Sequence, residues 1–282
     1  MHILRLSLAL LLIASPAAFA QEPAAQTPAP AAQRAPDPDK RPSIAQPDYN
    51  VITMPTTLRL AKGSSAFRLT HRFGRSLGAG SVGSLFEDLF GLDSGAQVGF
   101  EYRYGLIGGL QAGVNRTSNR TIQLFTQYQL VRQDRGKPVT VDAFLSMDGT
   151  NNFRDSYSPT VSAVISRTMG NRGAIYVQPA WVNNSNPLPS AQIGHNDTVM
   201  LGLGTRLRVG RTVYVVAEVL PRLQGYDPGT TQGSFGIEKR AGGHLFQLNF
   251  SNGFGTLPSQ VARGGTGSKD WYLGFNLTRK FL

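Results

Sequence analysis

The final segment of the chain, residues 271–282, alternates strictly between apolar and polar side chains. A period of two residues predicts a β-strand with one apolar and one polar face. Aromatic residues near both ends of the apolar face are typical of a strand that crosses a bilayer, because aromatic rings favour the two membrane interfaces. The last strand of a soluble sandwich is the alternative at this point. The apolar positions are Trp271, Leu273, Phe275, Leu277 and Phe281.

The same alternation recurs throughout residues 49–282 and predicts twelve strands. Most of these strands have the length that a tilted transmembrane strand needs. Glycine is abundant and amphipathic helical patterns are nearly lacking, which also favours an all-β chain. The predicted strands are 64–74, 94–104, 108–117, 120–131, 138–147, 156–167, 174–184, 195–208, 212–222, 232–240, 243–252 and 271–282.

The connections between these strands fall into two classes. Every second connection is short, whereas the others include long ones, with 118–119 as the exception. Short turns on one rim and long loops on the other are typical of outer-membrane barrels. We therefore predict an antiparallel transmembrane β-barrel of about twelve strands, with a short helix at Ser84–Phe90 in the first long loop. The long connections are 75–93, 148–155, 185–194, 223–231 and 253–270.

The residues before the barrel predict an exported protein. Residues 1–20 combine Arg5, a short apolar core and the small-residue pair Ala18 and Ala20, which is the pattern of a signal peptide. Residues 21–48 are rich in Ala, Pro and Gln without apolar periodicity and predict a disordered periplasmic linker. The chain contains no cysteine, which excludes a disulfide framework and thiolate metal sites. The predicted location is the cell outer membrane.

Several segments resemble a family of bacterial membrane-bound β-barrel proteins known only as a domain of unknown function. The resemblance covers about residues 54–282 and implies a porin-like outer-membrane barrel, without catalytic residues or a substrate. The last strand also resembles the closing strand of outer-membrane barrels, whose terminal aromatic residue is read by the assembly machinery. Here Phe281 is penultimate and Leu282 follows it. The segments that carry the family resemblance are 54–60, 63–74, 86–97, 99–105 and 271–281.

Two motifs with chemical meaning have structural interpretations that fit better. Gly78–Gly83 matches a dinucleotide-binding glycine pattern, but no alternation of strands and helices follows, so we interpret it as a loop before a helix capped by Ser84 and Glu87. His244 and Ser251 are seven residues apart and face opposite sides of a strand, which argues against lipid hydrolysis. We expect no enzyme activity, no cofactor and no metal site.

Charged residues recur on the polar faces of the strands, which face the lumen in a barrel. Seven basic residues stand against four acidic ones, which predicts a positive lumen. The basic residues are Arg68, Arg72, Arg103, Arg206, Arg208, Arg240 and Lys280. The acidic residues are Glu101, Asp142, Glu218 and Glu238.

The excess of basic residues on the polar faces predicts a narrow porin-like channel for small, weakly anionic solutes. The first-loop helix is the expected occupant of the lumen. The alternatives are a non-conducting structural or assembly barrel plugged by its own loops and, less favoured, a lipid-modifying enzyme. The expected partners are outer-membrane lipids, the barrel-assembly machinery and small solutes. Nucleic acid is not expected, because the arginines are spread over many strands instead of forming one patch.

Overall fold

The computed structural model describes residues 38–40, 43–87, 95–188, 192 and 194–282. The predicted signal peptide and the predicted linker as far as residue 37 lie outside these ranges. No helix in the described ranges is long and apolar enough to span a membrane. Short helices occupy Val82–Glu87, Thr150–Phe153 and Pro258–Val261, and 3-10 turns occupy Pro38–Lys40 and Gln133–Arg135.

The described residues form one antiparallel sheet that closes on itself. It contains thirteen strands, and all twelve predicted strands are present. The strands are β1 (Ser65–Ser76), β2 (Ala96–Ile107), β3 (Leu110–Thr117), β4 (Ile122–Val131), β5 (Thr140–Gly149), β6 (Tyr157–Thr168), β7 (Gly173–Val182), β8 (Thr198–Arg208), β9 (Val213–Leu220), β10 (Arg222–Gly225), β11 (Gln232–Ala241), β12 (His244–Ser251) and β13 (Tyr272–Phe281).

The barrel closes because its last strand pairs with its first strand. β13 pairs with β1 from Ser65↔Phe281 onward, so the predicted closing strand does close the barrel. β10 continues β9 beyond Pro221, and both pair with β8. Proline has no N–H to donate to a ladder, which divides the ninth wall position into two strands. The wall is therefore a twelve-strand barrel with one extra short strand, as the alternation predicted.

The wall places apolar side chains outside and polar side chains inside. The outward residues Phe100 and Leu248 are 50% and 51% exposed, whereas the inward residues Arg72, Arg206 and Glu238 are fully buried. This arrangement is the inverse of a water-soluble fold, and it suits a barrel whose outer surface meets lipid.

The two rims differ as the sequence predicted. One rim, here called the short-turn rim, carries the brief connections 108–109, 169–172, 209–212 and 242–243. The opposite rim, here called the long-loop rim, carries the longest connections. These are 77–95, 183–197 and 252–271.

Phe275 provides a test of the outward face, because it lies on β13 and is 36% exposed. We expect Phe275→Arg to lower the free energy of unfolding by about 2–4 kcal/mol, the cost of an arginine on the lipid face near the midplane. Phe275→Leu should change it much less, because an apolar side chain remains in lipid. Urea titration of barrels refolded into vesicles measures both. Equal losses in the two variants would contradict a lipid-facing Phe275.

Candidate functional site in the barrel lumen

The lumen is occupied by the chain that precedes β1. Residues 43–61 form a hairpin, here called the plug hairpin, that reverses direction at residues 51–54. The Val51 N–H donates to the Met54 carbonyl at 2.8 Å, and the Thr56 N–H donates to the Tyr49 carbonyl at 2.7 Å. Most of its side chains are buried. The plug hairpin therefore lies inside the barrel wall and not outside it.

Both arms of the plug hairpin lie at the short-turn rim. The Tyr214 hydroxyl, at the start of β9, donates to the Ile44 carbonyl at 2.9 Å. Just after the returning arm, the Gly63 N–H donates to the Gly105 carbonyl, near the end of β2, at 2.9 Å. The hairpin thus enters and leaves through this rim, with its tip pointing into the lumen.

This arrangement corrects the boundary of the predicted linker. The sequence placed residues 43–48 in a disordered segment, but Ala45, Gln46 and Asp48 are buried inside the barrel. The prediction failed because it required apolar periodicity as a sign of order. An irregular backbone that is held by wall side chains needs no such periodicity.

The tip of the plug hairpin surrounds the carboxylate of Glu218 on β9. The N–H groups of Ile52 and Met54 donate to Oε2 at 3.0 Å each, and the Thr53 N–H donates to Oε1 at 2.8 Å. The Thr53 hydroxyl donates to Oε1 as well. Successive N–H groups in a turn form a concave anion site, and the anion here is a wall side chain. Glu218 therefore satisfies three backbone donors that are shielded from water.

The carbonyl groups of the tip are satisfied by other wall side chains. The Asn50 carbonyl accepts from Arg206 Nη2 at 2.7 Å. The next two carbonyls, at positions 51 and 52, accept from Gln247 Nε2 and Arg68 Nη2, each at 2.6 Å. Unpaired backbone groups that are buried cost free energy comparable to a lost hydrogen bond, so these contacts fix where the tip can lie.

The arms of the hairpin are held in the same way. Gln127 Nε2 donates to the Thr56 carbonyl at 2.7 Å, and the hydroxyl oxygens of Thr57 and Ser166 lie 2.5 Å apart. The Thr278 hydroxyl donates to Asp48 Oδ2 at 3.0 Å. Sequence reasoning missed these contacts. The available signal was the frequency of amide side chains on the inward faces, since amides suit a buried backbone that needs both donors and acceptors.

Two ion pairs within the wall neutralise part of the lumen charge. Arg206 binds Glu238 through two parallel hydrogen bonds, Nε to Oε2 at 2.7 Å and Nη2 to Oε1 at 2.8 Å. Arg103 donates to Glu101 at 2.9 Å and also lies over the ring of Phe125, 4.7 Å from its centroid. Both partners of each pair belong to the wall, and both arginines also contact the plug hairpin, Arg206 at the Asn50 carbonyl and Arg103 over the ring of Tyr49.

The structure places the predicted lumen residues in two groups. Arg208 and Arg240 are only half-buried and lie at the short-turn rim, where Arg208 donates to the carbonyls of its own turn. Asp142 accepts from Gln127 Nε2 at 2.6 Å. The predicted residues that are buried inside the wall are Arg68, Arg72, Glu101, Arg103, Asp142, Arg206, Glu218 and Glu238.

The last long loop, 252–271, fills the lumen from the long-loop rim. The Ser259 N–H donates to Asp148 Oδ2 on β5 at 2.9 Å. Val261 and Ala262 pack in one apolar cluster with Val51 and Ile52 of the plug hairpin. Burial lowers the pKa of Arg263 in this loop, and its Nε donates to the Ser185 carbonyl at 3.1 Å. Two segments therefore meet inside the lumen.

Within its described residues, 77–87 and 95, the first long loop does not enter the lumen as the sequence predicted. Its helix begins at Val82 and not at Ser84, and the Ser81 hydroxyl accepts from the Ser84 N–H, so Ser81 is the capping residue. Phe86 is 61% exposed. Residues 88–94 lie outside the described ranges. The prediction assumed that an apolar helix side must enter the barrel mouth, whereas the lumen space is taken by other segments.

The residues considered for lipid hydrolysis do not come together. His244 lies beside Arg279, with 3.0 Å between Nδ1 and the arginine Nη1. Ser251, at the other end of β12, accepts a hydrogen bond from the Ser234 hydroxyl at 3.0 Å and is fully buried. A serine without an adjacent base is not activated as a nucleophile.

Solved structures similar to this chain are porins. The NanC porin has a TM-score of 0.50 at 8% identity, and the match covers 77% of this chain and 99% of that one. The KdgM porin has a TM-score of 0.48 at 6% identity, with 78% and 99% covered. A variant of the Rh. blastica porin has a TM-score of 0.35 at 12% identity and covers 66% of this chain, which spans only 55% of that porin. At these identities the likeness shows the fold alone.

The sequence comparisons assign the family. None of the curated proteins compared with the chain matches it. A family model described as a membrane bound beta barrel domain matches residues 48–281, which include the tip and returning arm of the plug hairpin and the whole barrel wall. The chain therefore belongs to the membrane bound beta barrel domain family DUF5777.

Proposed function

We propose that this protein is a porin-like channel of the outer membrane whose lumen is closed by its own plug hairpin. The observation that supports this most directly is the way in which the plug is held. Arg206, Gln247, Arg68 and Glu218 of the wall bind backbone groups of the tip through hydrogen bonds. Water can replace such bonds, so the wall can remain hydrated and intact when the plug withdraws.

The size of the wall is consistent with a passage behind the plug. Barrels of about eight strands are filled by side chains, whereas barrels of 16–18 strands hold an aqueous channel. The lumen of this twelve-strand wall holds the two arms of the plug hairpin side by side. Neighbouring segments lie about 5 Å apart, so withdrawal would leave an opening on the order of 10 Å across, which is enough for small solutes.

The proposed orientation places the short-turn rim in the periplasm. Short turns are periplasmic in outer-membrane barrels, and the chain enters the plug hairpin at this rim. Residues 1–20 would then direct export, and the linker predicted before the plug hairpin would be periplasmic. Outer-membrane lipids and the barrel-assembly machinery are the proposed partners of the wall, and we propose passive passage rather than catalysis.

A non-conducting structural barrel is the second candidate. The observation in its favour is the shared apolar cluster, in which Val51, Ile52 and Met54 of the plug meet Val261 and Ala262 of the last loop. Burial of such side chains stabilises the filled state by about 1.5–3 kcal/mol each, which opposes withdrawal. Conductance measurements distinguish the two candidates.

A disulfide lock tests whether the plug gates the lumen. Thr57 and Ser166 have touching hydroxyl groups, and the chain has no native cysteine to interfere. We expect oxidised Thr57→Cys/Ser166→Cys to show no openings in planar bilayers, and reduction to restore the brief openings of the unmodified chain. The control is Ser234→Cys/Ser251→Cys, which joins two neighbouring wall strands and should conduct equally in both redox states.

Conductance that persists through the oxidised lock would contradict a gating role for the hairpin. The structural barrel would be supported if three proteins showed no conductance. These are the unmodified chain, the reduced double-cysteine variant and the Glu218→Gln variant described next. Correct folding is checked by the different migration of unboiled and boiled protein on a denaturing gel, since a closed barrel has no free edge from which to unzip.

Glu218→Gln tests the contacts at the tip. The substitution keeps the shape of the side chain but replaces a charged acceptor of three N–H groups with a neutral one. Hydrogen bonds to charged groups contribute about 1.5–3 kcal/mol, so losing part of this should raise the fraction of time open about tenfold. Glu87→Gln, on the exposed first-loop helix, makes the same chemical change as a control and should have no effect. Equal behaviour of the two variants would show that the tip contacts do not hold the plug closed.

A further inference from the structure

Three cations lie on the inward side of the seam where β13 meets β1. The register pairs Ala66 with Lys280, Arg68 with Thr278, and Arg72 with Gly274. Inward positions on one strand follow each other about 7 Å apart, so the cationic side chains form a line along the wall. We call Lys280, Arg68 and Arg72 the seam stripe.

The seam stripe has no carboxylate partner on the wall among the described residues. Glu101 is the neighbour of Arg68 on β2, but its carboxylate binds Arg103. Arg72 is fully buried, and its Nε and Nη2 have no hydrogen-bond partner. Buried charges are normally paired, because an isolated buried charge costs several kcal/mol. Within the described ranges, the stripe is therefore a line of cations without an ion pair to a wall carboxylate.

The plug hairpin brings a carboxylate to this stripe. Asp48 is the only acidic residue in the sequence of residues 43–61. Its Oδ2 accepts the hydrogen bond from Thr278 and lies 4.0 Å from Arg68 Nε. Its side chain is 1% exposed to solvent. Lys280 lies over the ring of the adjacent Tyr49, with Nζ 4.8 Å from the centroid.

We infer that the seam stripe is the binding path for carboxylate-bearing solutes and that Asp48 occupies it in the closed state as a built-in competitor. This inference rests on the proposed function. Arginine favours carboxylates because its planar guanidinium presents paired N–H donors to two oxygens. A solute carboxylate at Arg68 and Thr278 displaces Asp48, and since it binds only when the plug has moved, it shifts the population toward the open state.

The test measures openings of the full chain in planar bilayers, in sodium chloride and in sodium acetate of the same ionic strength. We expect acetate to raise the fraction of time open. In chloride, Asp48→Asn should raise this fraction about tenfold, because a charged acceptor is lost, and it should abolish most of the response to acetate. Asp134→Asn, at an exposed turn of the short-turn rim, makes the same change in charge and should behave as the unmodified chain does.

Two variants test the stripe itself. Arg68→Gln should abolish the response to acetate while openings persist. Arg72 donates to the His71 carbonyl and to Asn276 Oδ1, which both belong to the wall. Arg72→Gln should shift the reversal potential in an acetate gradient toward cation preference. Gel migration of unboiled protein confirms that each variant forms a barrel, and either variant alone suffices for the test.

An unchanged acetate response in Arg68→Gln, or equal effects of Asp48→Asn and Asp134→Asn, would overturn the inference. So would an unchanged reversal potential in Arg72→Gln. The channel itself would survive these outcomes, because openings that the disulfide lock abolishes establish the gate independently. An equal fraction of time open in chloride and in acetate would indicate a general anion path without a carboxylate site. This result would also overturn the inference.

Discussion

The requirement that every backbone polar group find a partner away from water governs this structure twice. In the wall, it forces the strands to close into a barrel, because an open edge in lipid would leave a row of N–H and C=O groups unpaired. In the lumen, the plug hairpin lacks a neighbouring strand on which to pair. Its tip is satisfied instead by Glu218, which accepts from three N–H groups, and by Arg206, Gln247 and Arg68, which donate to three carbonyls. The wall side chains thus replace the solvent that a free hairpin would need.

The wall could be predicted from the sequence and the contents of the lumen could not. Alternation is a local property, so β1 to β13 and the two rims followed from the period of two residues and the positions of the turns. The plug tip depends on contacts between residues far apart in the chain, such as Thr53 and Glu218. An irregular segment rich in proline looks the same to a periodicity argument whether it is solvated or enclosed. The first-loop helix was chosen as the occupant because its apolar side was visible in the sequence, and Val51, Ile52 and Met54 were overlooked because they follow no period.

The inward-facing charged residues differ in whether they are paired, and a count from the sequence does not show this difference. The sequence predicts more basic than acidic residues on the inward faces, but the count treats all of them as equal and omits the buried Asp148 on β5. Arg206 and Arg103 are neutralised within the wall by Glu238 and Glu101. Such pairs contribute little field at the lumen axis, because their opposite charges lie close together. Among the described residues, the buried wall arginines without an ion pair to a wall carboxylate are Arg68 and Arg72, and both lie on the seam of the barrel.

The apolar cluster in the lumen connects events at the two rims. Val51 and Ile52 belong to a segment that enters at the short-turn rim, whereas Val261 and Ala262 belong to a loop that enters at the long-loop rim. Withdrawal of the plug hairpin exposes the apolar surface of Val261 and Ala262 to water, unless the last loop also moves. Since exposing apolar surface is unfavourable, displacement of either segment lowers the cost of displacing the other. Under the proposed function, contacts made by the last loop at the long-loop rim, such as the Ser259 N–H with Asp148, are therefore coupled to contacts made by the plug hairpin with Glu218. Under the proposed function, the two segments that share this apolar cluster are expected to move together.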